Sequence, residues 1–74
     1  MPTSLDLRHQ RAQLWQQMRD LNDRGETENR DLSAEENEQW ARMERDIASL
    51  DQRIERAEKL ERTKAAAILA ALKA

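Results

Sequence analysis

The chain alternates one apolar position with two or three polar ones over most of its length. From Trp40 onward the apolar residues fall at Trp40, Met43, Ile47, Leu50, Ile54 and Ala57. Steps of three and four alternate, giving a mean period of about 3.5, the period of a coiled-coil seam. Nearly every intervening position is charged or an amide. A second, shorter stripe reads Leu7, Leu14, Met18 and Leu21, with Arg11 on one seam position and Trp15 one position off it. A helix with one narrow apolar stripe cannot bury it alone in water. The pattern therefore predicts two helices that need partners.

Their ends are marked locally. Thr3, Ser4 or Asp6 can cap the first helix, and Gly25 stands where a left-handed C′ glycine belongs, so this helix is expected over about residues 4–24. Asp20 and Arg24 form an i,i+4 pair near its end. Residues 25–33 read as a connector. Ser33 and Glu36 are spaced as a capping box, each side chain serving the other residue's backbone N–H. Glu35, Glu36 and Glu38 also place negative charge at the positive end of the helix dipole. From Ala34 the chain has no glycine or proline, so a second helix can continue to about residue 72. Glu38–Arg42, Glu55–Lys59 and Glu58–Arg62 are candidate i,i+4 pairs on its surface.

The fold class expected is all-α: an antiparallel helical hairpin of a short first and a long second helix, with coiled-coil-like packing and further oligomerisation. At 1.5 Å per residue the helices span roughly 30 and 58 Å. Met18 and Leu21 would face Trp40 and Met43, Leu14 would face Ile47 and Leu50, and Leu7 would face Ile54. The first helix would cover the second only to about Ala57. The uncovered remainder changes character: the strict seam fails at Glu61 and Lys64. Residues 63–74 are alanine-rich, with Ala65, Ile68, Leu69 and Leu72 on one face. This segment suits a second association surface, a linker or an appended tail, and the sequence does not choose among them.

Composition narrows the function. Seventy-four residues make one small domain, and charged and hydrophobic residues each make up 38% of it, too polar for a thick core. With no cysteine and a single histidine, neither disulfides nor a zinc site can supply the missing stability. Association is the remaining route. The 13 basic and 15 acidic residues nearly balance, and no basic block offers a footprint for nucleic acid. No apolar run approaches a membrane span or a signal core. The expected compartment is the cytoplasm.

Catalytic constellations are missing. Ser4, Ser33 and Ser49 have no histidine partner, and His9 sits among polar residues, which reads as a surface histidine. No phosphate-cradling glycine loop or Glu-x-x-His pair occurs. Catalytic, cofactor and metal residues are therefore expected to be absent, and the chain is expected not to be an enzyme. Trp15 and Trp40 are the only aromatics. Trp40, on the seam, is expected inside the hairpin. Trp15 suits either an inter-subunit contact or packing on the hairpin flank.

The connector Asn29-Arg30-Asp31-Leu32-Ser33-Ala34-Glu35-Glu36, followed by a charged helix carrying Ile47, Leu50 and Ile54-Glu55-Arg56-Ala57-Glu58, resembles the N-terminal delta domain of HK97-type phage major capsid proteins. The resemblance covers about residues 5–62, and its connector and capping box are moderately specific. It implies a scaffolding segment on the inner side of an immature shell in the host cytoplasm. Such a segment guides subunits into a procapsid and is then removed by proteolysis. Seam and connector positions carry over: Leu32, Ser33, Glu36, Ile47, Leu50 and Ile54. The implied partners are further copies of the segment, the shell domain of the capsid protein, and also the portal and the maturation protease. The chain departs from the family's precursor in carrying no shell domain up to Ala74, as expected of the segment on its own or of a free-standing relative. Its alanine-rich end also differs from the linker the family implies. The alternative reading is a heteromeric coiled-coil adaptor or regulatory module.

Overall fold

A computed structural model describes residues 2–73. Two helices, α1 (Ser4–Thr27) and α2 (Ala34–Lys73), pack against each other as an antiparallel hairpin. The molecule is a rod of 64 × 17 × 15 Å. Forty residues of α-helix measure about 60 Å, so α2 alone sets the long dimension.

α1 begins at a capping box one residue outside the helix. The Asp6 N–H donates to Thr3 Oγ1 (3.2 Å), and the Thr3 N–H donates to Asp6 Oδ2 (3.0 Å). Two of the four unpaired donors of the first turn are thereby served. Thr3 is thus the cap among the three candidates.

The other end of α1 corrects the expectation for Gly25. The helix runs three residues past residue 24, to Thr27, and Gly25 lies inside it, buried and without positive φ. Asn29 takes the left-handed conformation instead, with φ of 50°. The Asn29 N–H donates to Glu26 O (3.1 Å) and the Arg30 N–H donates to Gly25 O (3.0 Å). These are the two bonds of a Schellman motif with Asn at C′, a residue that tolerates this region better than other non-glycine residues. Gly25 is needed for a different reason. A Cβ there would sit 3.2 Å from Leu32 Cδ2 and 3.4 Å from Arg30 O. The connector folds back over the last turn of α1, and only a residue without a side chain leaves room. The connector is accordingly shorter than 25–33, starting at Glu28.

The core is thin. Leu7, Leu50 and Ile54 form one buried cluster, with Leu14 and Ala57 packed against it. Leu21 is buried near the turn. The facing of Leu7 with Ile54 and of Leu14 with Leu50 follows the expected antiparallel register. Burial ends at Glu58, in line with the expected cover to about Ala57, and α1 starts against the exposed Glu61: the Ser4 N–H and Oγ donate to the two Glu61 carboxylate oxygens at 3.0 and 2.7 Å. From residue 59 to the end of α2 every residue is exposed.

Candidate interaction surface

Along the hairpin, the apolar stripes are flanked by charges that reach across rather than along a helix. Arg8 pairs with Glu58, and Arg11 Nε lies 2.8 Å from Asp51 Oδ1. Arg11, which interrupts the first stripe, thus bridges to the partner helix instead of leaving a gap. The surface pairs expected within helices behave otherwise. Among the described residues the i,i+4 ion pair that forms is Arg19–Asp23, at 3.7 Å. Asp20–Arg24, Glu38–Arg42, Glu55–Lys59 and Glu58–Arg62 are not closed. Glu58 has the better-placed Arg8 available across the groove. For fully exposed pairs the gain of about 0.3–0.5 kcal/mol barely offsets side-chain entropy.

The connector is the most densely bonded part of the molecule. The Ser33 N–H donates to Glu36 Oε1 (2.9 Å) and the Glu36 N–H donates to Ser33 Oγ (3.1 Å), completing the expected capping box. Arg30 adds a fork: Nη1 and Nη2 donate to the two Glu36 oxygens at 2.6 and 3.1 Å, Nη1 also reaches Asp31 O, and Nε donates to Glu28. Bidentate guanidinium–carboxylate geometry is the strong form of this contact. The Arg30 guanidinium and then the Ser33 N–H hold the Glu36 carboxyl down at about 2, and the Glu36 and then the Glu28 carboxylate push the Arg30 pKa up. At the opposite end, the Ser4 N–H and hydroxyl lower the pKa of Glu61. Asp6 is lowered by the Thr3 N–H and hydroxyl.

The interaction positions expected from sequence fall into three groups. Leu7, Leu21, Leu50 and Ile54 are buried, and Leu14, Met18, Trp40, Met43 and Ile47 are half-buried, all within the hairpin. Trp40 is therefore not enclosed. Its indole N–H needs a polar partner and donates to Glu44 on its own helix, which keeps one edge of the ring at the surface. Trp15 is 56% exposed, lies under the Arg19 guanidinium at 5.8 Å from the ring centroid, and lines a shallow groove with Arg8, Arg11 and Ile47. Ile68 and Leu72 are exposed on the uncovered part of α2, together with Leu60 and Leu69.

Sequence reasoning missed Arg30, Arg8, Asp51, Glu58 and Glu61 as structural residues. Arg8, Asp51 and Glu58 each adjoin a seam residue in sequence, so seam-flanking charge was the available signal. The Glu61 contact with Ser4 spans 57 positions and carries no local signal. Among the described residues no group of His, Cys, Asp and Glu is arranged to hold a metal ion, and no helix is long and apolar enough to cross a membrane.

The sequence matches no protein-family model, and no curated protein or solved structure matches it.

Proposed function

We propose that this chain is a non-enzymatic assembly scaffold of the delta-domain kind, self-associating through helical faces to guide a phage shell protein into a procapsid. The observation that carries the reading is the connector. The residues that resemble the delta domain, Asn29 to Glu36, are those that turn the chain: Asn29 supplies the left-handed residue, Arg30 clamps Glu36, and Ser33 caps α2. Two further observations support it. The core of the hairpin is small, and a long exposed arm of α2 carries apolar residues. Tethered to shell subunits, weak helical contacts act at high effective concentration without forming a permanent bond, and weak contacts permit misplaced subunits to dissociate. The site of action is the host cytoplasm and then the interior of the immature shell. Partners are further copies, the shell domain and, at the interior surface, the portal and the maturation protease. Proteolytic removal would end the interior contacts irreversibly.

The test is assembly. Expressed in cis with the shell protein encoded beside it, the segment should yield closed shells of uniform size, and its deletion should yield aggregates or malformed shells. Uniform shells without the segment, or a genome that encodes no shell protein beside it, would overturn the reading. The exposed Trp15 beside Arg19 favours one second reading, a heteromeric adaptor. It predicts a monomer whose helicity, followed by circular dichroism, rises on adding the partner.

A further inference from the structure

The stripe that α1 covers does not stop where α1 stops. On α2 it runs through Leu50, Ile54 and Ala57 and continues through Glu61, Ala65, Ile68 and Leu72, in steps of three and four. Those steps keep all seven positions on one side of the helix, since 22 residues in six steps average about 3.7, close to the 3.6 of a straight helix. The first three positions are buried or half-buried by α1. Ala65, Ile68 and Leu72 lie on the same line and are exposed. Leu69 widens this face beside Ile68. The established helix–helix interface thus has an unfilled continuation, bounded at one end by the start of α1 at Ser4.

We infer that the α2 arm from residue 62 to 73 pairs antiparallel with the same arm of a second copy, each arm taking the track that α1 occupies further along. Two observations select this occupant. First, the continuation is the seam of an antiparallel helix pair, so a helix running opposite to α2 is the geometry already in use along the rod. Second, the order of sizes suits two-fold symmetry. Ala65 at one end of the patch comes opposite Leu72 of the second copy, small against large, while Ile68 lies close to the axis opposite Ile68 and Leu69 of its mate. A parallel pair would set Ala65 against Ala65 and leave a gap. The arm carries Arg62, Lys64 and Lys73 with no acidic residue between them, and in this register Lys73 falls opposite Lys64 of the second copy, so like charges at the two ends keep the pairing weak and ease as salt is raised.

The overlap is 12 residues, about 18 Å of helix, and three large apolar side chains per copy. This is well below the roughly 1,200–2,000 Å² of a stable interface, so the pair is weak and forms at high local concentration. The inference rests on the self-association part of the scaffolding reading and adds its surface and its symmetry.

Sedimentation velocity on the full chain, taken to millimolar concentration, should show a reversible monomer–dimer equilibrium. Ile68→Glu should weaken it by ~10-fold or more, with helicity and melting unchanged because the side chain is exposed in the monomer. Trp15→Ala should leave the equilibrium constant as it is. The absence of native cysteine makes the orientation readable. Mixed in equal amounts and mildly oxidised, Ala65→Cys and Leu72→Cys chains should form mainly the mixed disulfide. A strict monomer at millimolar concentration, association indifferent to Ile68→Glu, or predominance of the two symmetric disulfides would overturn the inference. So would binding of the arm to anionic vesicles in place of self-association. None of these results would by itself remove the scaffolding reading, which shell assembly tests separately.

Discussion

Two isoleucines on the same stripe of α2 offer a controlled comparison. Ile54 is 6% exposed and belongs to the buried cluster with Leu7 and Leu50; Ile68 is 51% exposed and lies beyond the reach of α1. Truncating either to alanine removes the same three heavy atoms from the same helix. It also brings the same small gain in helix propensity, about 0.4 kcal/mol. The difference is burial. Ile54→Ala removes side-chain volume from a site closed by Leu7 on the facing helix, and large-to-small changes of this type cost about 2–5 kcal/mol. The lower half of that range applies here, since a core one layer thick can collapse around the gap. A chain this small draws only about 3–5 kcal/mol from its core, so even about 2 kcal/mol removes much of the hairpin's stability. Ile68→Ala should fall within about 0.5 kcal/mol of the parent, on the stabilising side. Urea titrations followed by circular dichroism, at low micromolar concentration to keep the chain monomeric, give both numbers. Equal midpoints for the two variants would refute the assignment of α1 to this face of α2. A larger loss at Ile68 than at Ile54 would refute the position where cover ends.

The connector yields three further expectations. Ser33→Ala should cost about 1 kcal/mol by leaving the first turn of α2 short of an acceptor, measured by the same titration; an unchanged midpoint would argue against the cap. Asn29→Val should destabilise by roughly 1–2 kcal/mol, because a β-branched residue is strained at a φ of 50°, whereas Asn29→Gly should be close to neutral. Acid should weaken the hairpin. Glu36 titrates near 2 when folded against 4.5 unperturbed, so the folded state binds protons less readily than the unfolded one. Its contribution is complete above about pH 4.5 and lost as pH falls towards 2. Glu61 and Asp6 shift in the same direction. Melting temperatures measured between pH 6 and 2 should fall, and Arg30→Ala should lower the melting temperature at pH 6 and make the fall below about pH 4.5 shallower. A melting temperature flat across that range would contradict the ion-pair geometry.

What could be read from sequence follows the range of each interaction. The two helices, the Ser33 cap, a first cap among Thr3, Ser4 and Asp6, and the facing of Leu7 with Ile54 rest on spacings of three or four residues, and those were legible. Gly25 was misread because the local rule for glycine after a helix is sound, yet a tertiary approach was in force. Leu32 folds back against the backbone there, and that contact is invisible until the connector has a shape. Arg11 looked like a flaw in the stripe because its partner, Asp51, lies on the other helix. The contact of Ser4 with Glu61 was not legible, because nothing local indicates that Glu61 receives the start of α1. The candidate surface was legible as a list of apolar positions. Its division into a covered half and an open half required the structure.

The contact of Ser4 with Glu61 has a consequence for how the rod can be used. One end of α1 is fixed to α2 by the Arg30 fork and the tight turn, and the other end by a carboxylate that holds two donors. Sliding α1 by a turn in either direction would break both anchorages together, so the hairpin has one setting. The point at which α2 leaves the hairpin is then a constant of the molecule, like the mark at which a ruler is clamped. Whatever grips the last turns of α2 is held at a set distance and rotational angle from the turn at the far end. A loosely jointed helix pair could not transmit that spacing.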